Sequence, residues 1–155
     1  MNAPTRQRAM LGDVIEIDIP SGFAYAHYTH KHDRYGALLR VMLQHYSERP
    51  ADFSWVTYSE SQFECFFPLS AAVSRGIVRI AGVAPISAER ARFPLFRTAV
   101  QTPSGWGPWW LWDGEKEWRI DRLEPGMEQL PIRGILNDTL MFERIQSGWR
   151  AAHEA

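Results

Sequence analysis

Four of the seven tryptophans fall within ten residues, in the stretch Trp109-Trp110-Leu111-Trp112-Asp113-Gly114-Glu115-Lys116-Glu117-Trp118. Asp-Gly between two apolar, aromatic runs is a strong hairpin signal, because glycine reaches positive φ without steric cost. The pattern predicts one strand over 109–112, a partner over 117–120 and a four-residue turn between them. Side chains alternate along a strand, so Trp110 and Trp112 share one face and Trp109 and Leu111 the other. Both faces are apolar. One must meet the core, and the other is either covered by the rest of the chain or left as a contact surface.

The rest of the chain has a size and balance that suit such a hairpin within one domain. At 155 residues it can bury a continuous core without staples. Hydrophobic residues make up 45% and charged residues 23%, ordinary values for a globular protein. A net charge of −1 gives no global field favouring nucleic acid or an anionic membrane. No apolar run approaches the length that spans a bilayer. The start of the chain lacks the apolar stretch of a signal peptide, which points to a cytoplasmic protein.

Residues 1–10 read as a disordered leader and 11–155 as a single domain. Val14, Glu16 and Asp18 alternate with Ile15, Ile17 and Ile19, a period-two strand. After the turn at 20–22, residues 23–30 form a second strand. Phe23, Tyr25, His27 and Thr29 share one face; Ala24, Ala26, Tyr28 and His30 share the other. A third strand over 36–46 places Ala37, Leu39, Val41 and Leu43 on one side. Three such runs joined by tight turns predict an antiparallel meander.

Residues 47–61 read as a loop over the sheet, anchored by Phe53, Trp55 and Tyr58, with room for a short strand. Residues 62–67 read as a strand, 69–75 as a helical turn ending at Gly76, and 77–82 as a strand rich in branched side chains. Residues 93–97 contain Pro94 and can form only an edge strand. A helical turn starting at Pro125 is expected near 123–130. Asn137-Asp138 can cap a last helix from Thr139, although 140–145 also fits a strand. The expected fold is therefore β-rich α+β: a curved antiparallel sheet or small SH3-like barrel plus a C-terminal helix.

Polar chemistry concentrates at His27, His30, His32 and Asp33. His30, His32 and Asp33 have spacing that would allow a shared metal, but a site at a turn lacks the fixed second shell a stable centre needs, so solvated turn histidines are the expected reading. His45 and His153 have no visible partner. Cys65 lies among Phe63, Phe66 and Phe67, the setting of an inert core thiol. Glu115 and Glu117, beside Lys116 and Arg119, read as a solvated strand edge. There is no glycine-rich phosphate loop, and neither a cofactor, a metal nor a catalytic group is expected.

Two stretches resemble a known family. Gly12-Asp13-Val14-Ile15-Glu16-Ile17 with the aromatic strand at 23–28 resembles the opening of the immunity protein 26 family of bacterial polymorphic toxin systems. Phe93-Pro94-Leu95-Phe96-Arg97, the hairpin over 109–120 and the run from Leu130-Pro131-Ile132-Arg133 to Ile145 are also similar to proteins grouped near it. The resemblance covers the two ends of the chain and leaves 47–61 unmatched. It implies a cytoplasmic β-rich domain that binds and blocks a cognate toxin, and it brings no catalytic residues.

Three functions follow for testing. The preferred one is a non-catalytic binder of a protein, using the hairpin tryptophans Trp109, Trp110, Trp112 and Trp118 that the core does not take, with Asp113, Glu115, Lys116 and Arg119 as a polar rim. The alternative is a small-ligand or nucleic-acid module with aromatics beside Arg34, Arg40 or Arg79. An enzyme using the histidine turn or Cys65 ranks last.

Overall fold

The computed structural model describes residues 8–154, so most of the expected leader lies outside the described residues. The meander read from the alternation is present as β1 (Asp13–Ile19), β2 (Gly22–His32) and β3 (Gly36–Met42). β4 (Ser61–Phe67) pairs with β3, and β5 (Arg79–Val83) pairs with β1. The result is a five-stranded antiparallel sheet in the order β4-β3-β2-β1-β5. Its edges β4 and β5 do not meet, so the sheet is open and the barrel alternative does not hold. Register shifts at Val14/Ile15, Tyr28/His30 and Val41/Met42 bend it, as bulges do.

One face of this sheet takes the helices. Ile15, Ile17, Ala24, Ala26, Leu39, Val41, Phe63 and Cys65 form a single buried cluster with Leu69 and Ala72 of α1 (Leu69–Ser74) and Met141 and Ile145 of α2 (Asp138–Ser147). α2 begins where the sequence places it: the Asn137 carbonyl side-chain oxygen accepts from the Leu140 N–H at 2.8 Å, filling one orphan donor of the first turn. Gly148, at φ 71°, ends it in the left-handed conformation. The strand alternative for 140–145 is thereby overturned.

The opposite face is covered by loops and by a second sheet. Residues 47–60 fold across Val14, Tyr25 and Met42, with Phe53 and Trp55 against the Tyr25 ring at 5.1 and 5.8 Å. The segment holds a 3-10 turn at Ser54–Thr57 rather than a strand, and Tyr58 is 82% exposed, so it is no anchor. The third strand stops at Met42, leaving Leu43 partly exposed.

The second sheet is β6 (Phe96–Thr102), β7 (Gly105–Trp112) and β8 (Glu117–Ile120), antiparallel and in that order. The hairpin register matches the sequence reading: Trp109 faces Ile120, Trp110 faces Arg119, Leu111 faces Trp118 and Trp112 faces Glu117. β6 is an edge strand, as expected, but it starts after Pro94 and runs on to Thr102. β7 also starts earlier than expected. Pro108 fits within it because β8 does not reach that far and the β6 ladder is interrupted there, between Ala99 and Gln101. Leu38, Phe66, Phe96 and Trp112, with Tyr35 and Phe93, weld the two sheets together.

The bulge in β2 decides where the sheets meet. Tyr28 pairs with Leu39 and His30 with Leu38, so Thr29 is the extra residue and the alternation flips. His30 therefore leaves the helix-covered face, where the alternation puts it, and joins Leu38 on the side of the second sheet.

Candidate binding surface

The hairpin tryptophans divide between core and solvent. Trp112 is buried, ringed by Tyr35, His32, Phe96 and Phe93 at 4.9–5.5 Å between centroids. Trp109 is buried as well, with the Arg97 guanidinium 4.8 Å from its ring centroid. Neither can form part of a contact surface: the expectation for these two is corrected by packing on both faces of the sheet. Trp110 and Trp118 remain 37% and 41% exposed, and their register puts them on opposite faces of the hairpin. Trp106, absent from the sequence-based set, is 41% exposed, with its ring 6.1 Å from that of Trp109. Its neighbours Gly105, Gly107 and Pro108 disguise it as loop, and its only signal was its side-chain type.

Arg97 explains why Trp109 is covered. The side chain is fully buried and donates to the main-chain carbonyls of Glu128, Ala151 and Glu154, at 2.9, 2.6 and 2.9 Å. Five donors in a planar fork make arginine the side chain able to serve three carbonyls at once. The cation over the tryptophan face supplies further attraction where water is excluded. The 3-10 turns at Met127–Gln129 and Ala151–Glu154 are thus held against the sheet.

The charged residues of the set all lie at the surface, with different tasks. Asp113 turns its carboxylate inward, accepting from the Lys116 and Glu115 N–H groups at 2.8 and 2.9 Å. Those bonds hold its carboxyl below the ordinary range. Glu115 and Lys116 point from the turn, and Arg119 pairs loosely with Asp121 at 3.4 Å on the edge strand. Glu117 is not merely solvated: it pairs at 2.9 Å with Arg133, whose guanidinium lies 5.2 Å from the Trp112 ring centroid.

The histidines are structural rather than solvated. His32 Nε2–H donates to the Gly114 carbonyl at 2.7 Å, while Nδ1 accepts from the Arg34 and Tyr35 N–H groups at 3.1 and 3.2 Å. His30 binds the Ala91 carbonyl at 2.9 Å and the Thr29 hydroxyl at 3.0 Å. His27 is wholly buried, and Nε2–H donates to the Ala84 carbonyl at 2.9 Å; burial holds it below the ordinary histidine value. The nitrogens a metal would need at His30 and His32 are engaged by the protein. The loop polarity suggested solvation because a contact 82 residues away in sequence leaves no local trace.

The cysteine and the three arginines named beside the aromatics have different settings. Cys65 is buried in the main cluster, and burial pushes its thiol up to about 12, so it is protonated at neutral pH. Arg34 lines a cavity of about 430 Å³ with His32, Trp112 and Arg133. Arg79 is committed to Glu16 and Asp18. Arg40 lines a different cavity, flanked by two further arginines. Among the described residues no helix is long and apolar enough to cross a membrane.

Comparison of the chain with protein-family models, curated proteins and solved structures gives no significant match.

Proposed function

We propose that this protein is a non-catalytic binding domain of the immunity type, which neutralises a cognate bacterial toxin in the cytoplasm by direct contact. The observation that carries this reading is the exposure of Trp106, Trp110 and Trp118, each between 37% and 41%, on a small three-stranded sheet, with Trp110 on one face and Trp118 on the other, so that a partner seats on one of the two faces. Tryptophan is among the side chains that most often dominate a protein interface. Glu115, Lys116 and Arg119 lie beside it as a mixed-charge rim of the kind that sets partner choice and association rate. The outer side of β8 is the edge of its sheet, which leaves main-chain groups open for a partner as well.

The test is co-expression with the product of the neighbouring candidate toxin gene, followed by copurification and a protection assay. Trp118→Ala and Trp110→Ala should fold normally, and at least one should weaken binding by about 2 kcal/mol. Reversal of charge at Lys116 or Arg119 should chiefly slow association, less so at high salt. Equal protection by these two folded variants and by folded Trp106→Ala would remove the sheet from the interface.

A further inference from the structure

On the sheet face that lacks helices, the register lines up His27 of β2, Arg40 of β3 and Glu64 of β4 as one cross-strand row. This row lies between the aromatic cluster around Tyr25 and the one around Phe66, and residues 85–94 pass over it. There a cavity of about 420 Å³ is lined by Arg40, Arg90, Arg92, Ser87, Tyr58 and Glu89, among others. Three guanidinium groups around one cavity repel each other unless something negative offsets them.

Two of the three are held in place from behind. Arg90 donates from Nη1 to the Val56 carbonyl at 2.7 Å and from Nη2 to the Ser59 carbonyl, which fixes the fork but leaves other N–H donors. Arg40 donates from Nη1 to Glu64 and Ser61 at 2.9 and 3.2 Å, yet its Nε is buried without an acceptor. Arg92 is exposed and has no carboxylate partner among the described residues. Glu64 offsets Arg40, and Glu89 offsets one more charge, so one positive charge remains in excess.

We propose that this cavity is a binding site for a phosphate group, held by Arg92 and the fixed forks of Arg40 and Arg90. Planar guanidinium forks match the oxygens of a phosphate, and preorganised forks lose less freedom on binding than free ones. A single phosphate suits the small charge excess better than a polyphosphate would, since Glu89 lines the same cavity. The exposed Tyr58 ring at the cavity gives a surface for the organic part of a phosphate ester. Burial first, and then the neighbouring Arg40, lower the Arg90 value, with Glu64 and Glu89 acting against them. The site does not use the tryptophan sheet and does not rest on the reading of function above.

The experiment is calorimetric titration of the full-length protein with inorganic phosphate and, separately, with a nucleoside monophosphate, against chloride at matched ionic strength. Saturable binding is expected, together with a rise in melting temperature that chloride does not produce. Equal affinity for the two probes identifies free phosphate as the ligand chemistry; tighter binding of the monophosphate identifies an ester. Arg92→Ala, at an exposed position, should fold and should weaken binding by about tenfold or more. Arg40→Gln should weaken it as well, and Arg122→Ala, at an exposed position outside the lining, should not. The proposal is overturned if neither probe binds saturably, or if folded Arg92→Ala and Arg40→Gln bind as the wild type does.

Discussion

His32 donates from Nε2 to the carbonyl of Gly114 across 2.7 Å, tying the end of the second strand to the tip of the tryptophan hairpin. The same ring accepts two main-chain N–H groups at Nδ1 and contacts the Trp112 ring at 5.0 Å between centroids. One side chain thus closes the turn after β2 and fixes the second sheet on the first. His32→Ala should destabilise the protein by roughly 2 kcal/mol, because three main-chain groups lose their partner together. Denaturant unfolding followed by tryptophan fluorescence checks this. An unchanged midpoint would mean that the aromatic junction holds the sheets without the latch.

Gly114 sits at φ 102°, and a Cβ built there would meet the Phe93 ring at 2.8 Å. Backbone conformation and contact both oppose a side chain at this position. Gly114→Val is expected to cost about 1 kcal/mol or more. The readout is again an unfolding curve, and a neutral substitution would refute the turn geometry.

Acid should destabilise the fold through Glu16. Its side chain is nearly wholly buried and accepts from Tyr25, Arg49 and Arg79. Burial alone would raise its carboxyl; the hydrogen bonds from Arg49, Arg79 and Tyr25 outweigh burial and leave it below its ordinary value. Asp18 is lowered too, first by its bonds from Arg79. A lowered folded-state value means that the unfolded chain binds protons more readily, so this stability is present above about pH 4.5 and drains away as pH falls further. Glu16→Gln should cost roughly 2–3 kcal/mol at pH 7, below the range for a fully buried pair because both arginines are partly solvated. The variant should also lose less stability than the wild type between pH 5 and 3. Parallel pH profiles for the two proteins would show that the carboxylate contributes nothing to this dependence.

Cys65 should resist thiol reagents in the native state, since it is buried and its thiol is raised to about 12. Labelling should appear only with global unfolding in denaturant. Fast labelling in buffer would reopen a reactive role for it.

The strands β1 to β4 and the hairpin were legible because their signals are local: period-two alternation in Val14 to Ile19, and Asp113-Gly114 between aromatic runs. The C-terminal helix was legible from its cap at Asn137. β6 beyond Arg97 was not, because it runs at a sheet edge with Val100 to Thr102 exposed and carries no apolar period. The extra residue Thr29 left no mark either, since a bulge is set by the partner strand and not by composition. The arginine cavity brings Arg40 together with Arg90 and Arg92 across some fifty residues, a juxtaposition only the fold can make.

Arg97 grips its three partners through the main chain alone. Peptide carbonyls are the same at every residue, so the three hydrogen bonds themselves ask for no particular side chain at 128, 151 or 154. The demand for donors falls on position 97. A lysine there keeps the charge but has one nitrogen where two, Nη1 and Nη2, share the three carbonyls. A conservative exchange at this single residue would therefore break bonds to two separate turns at once.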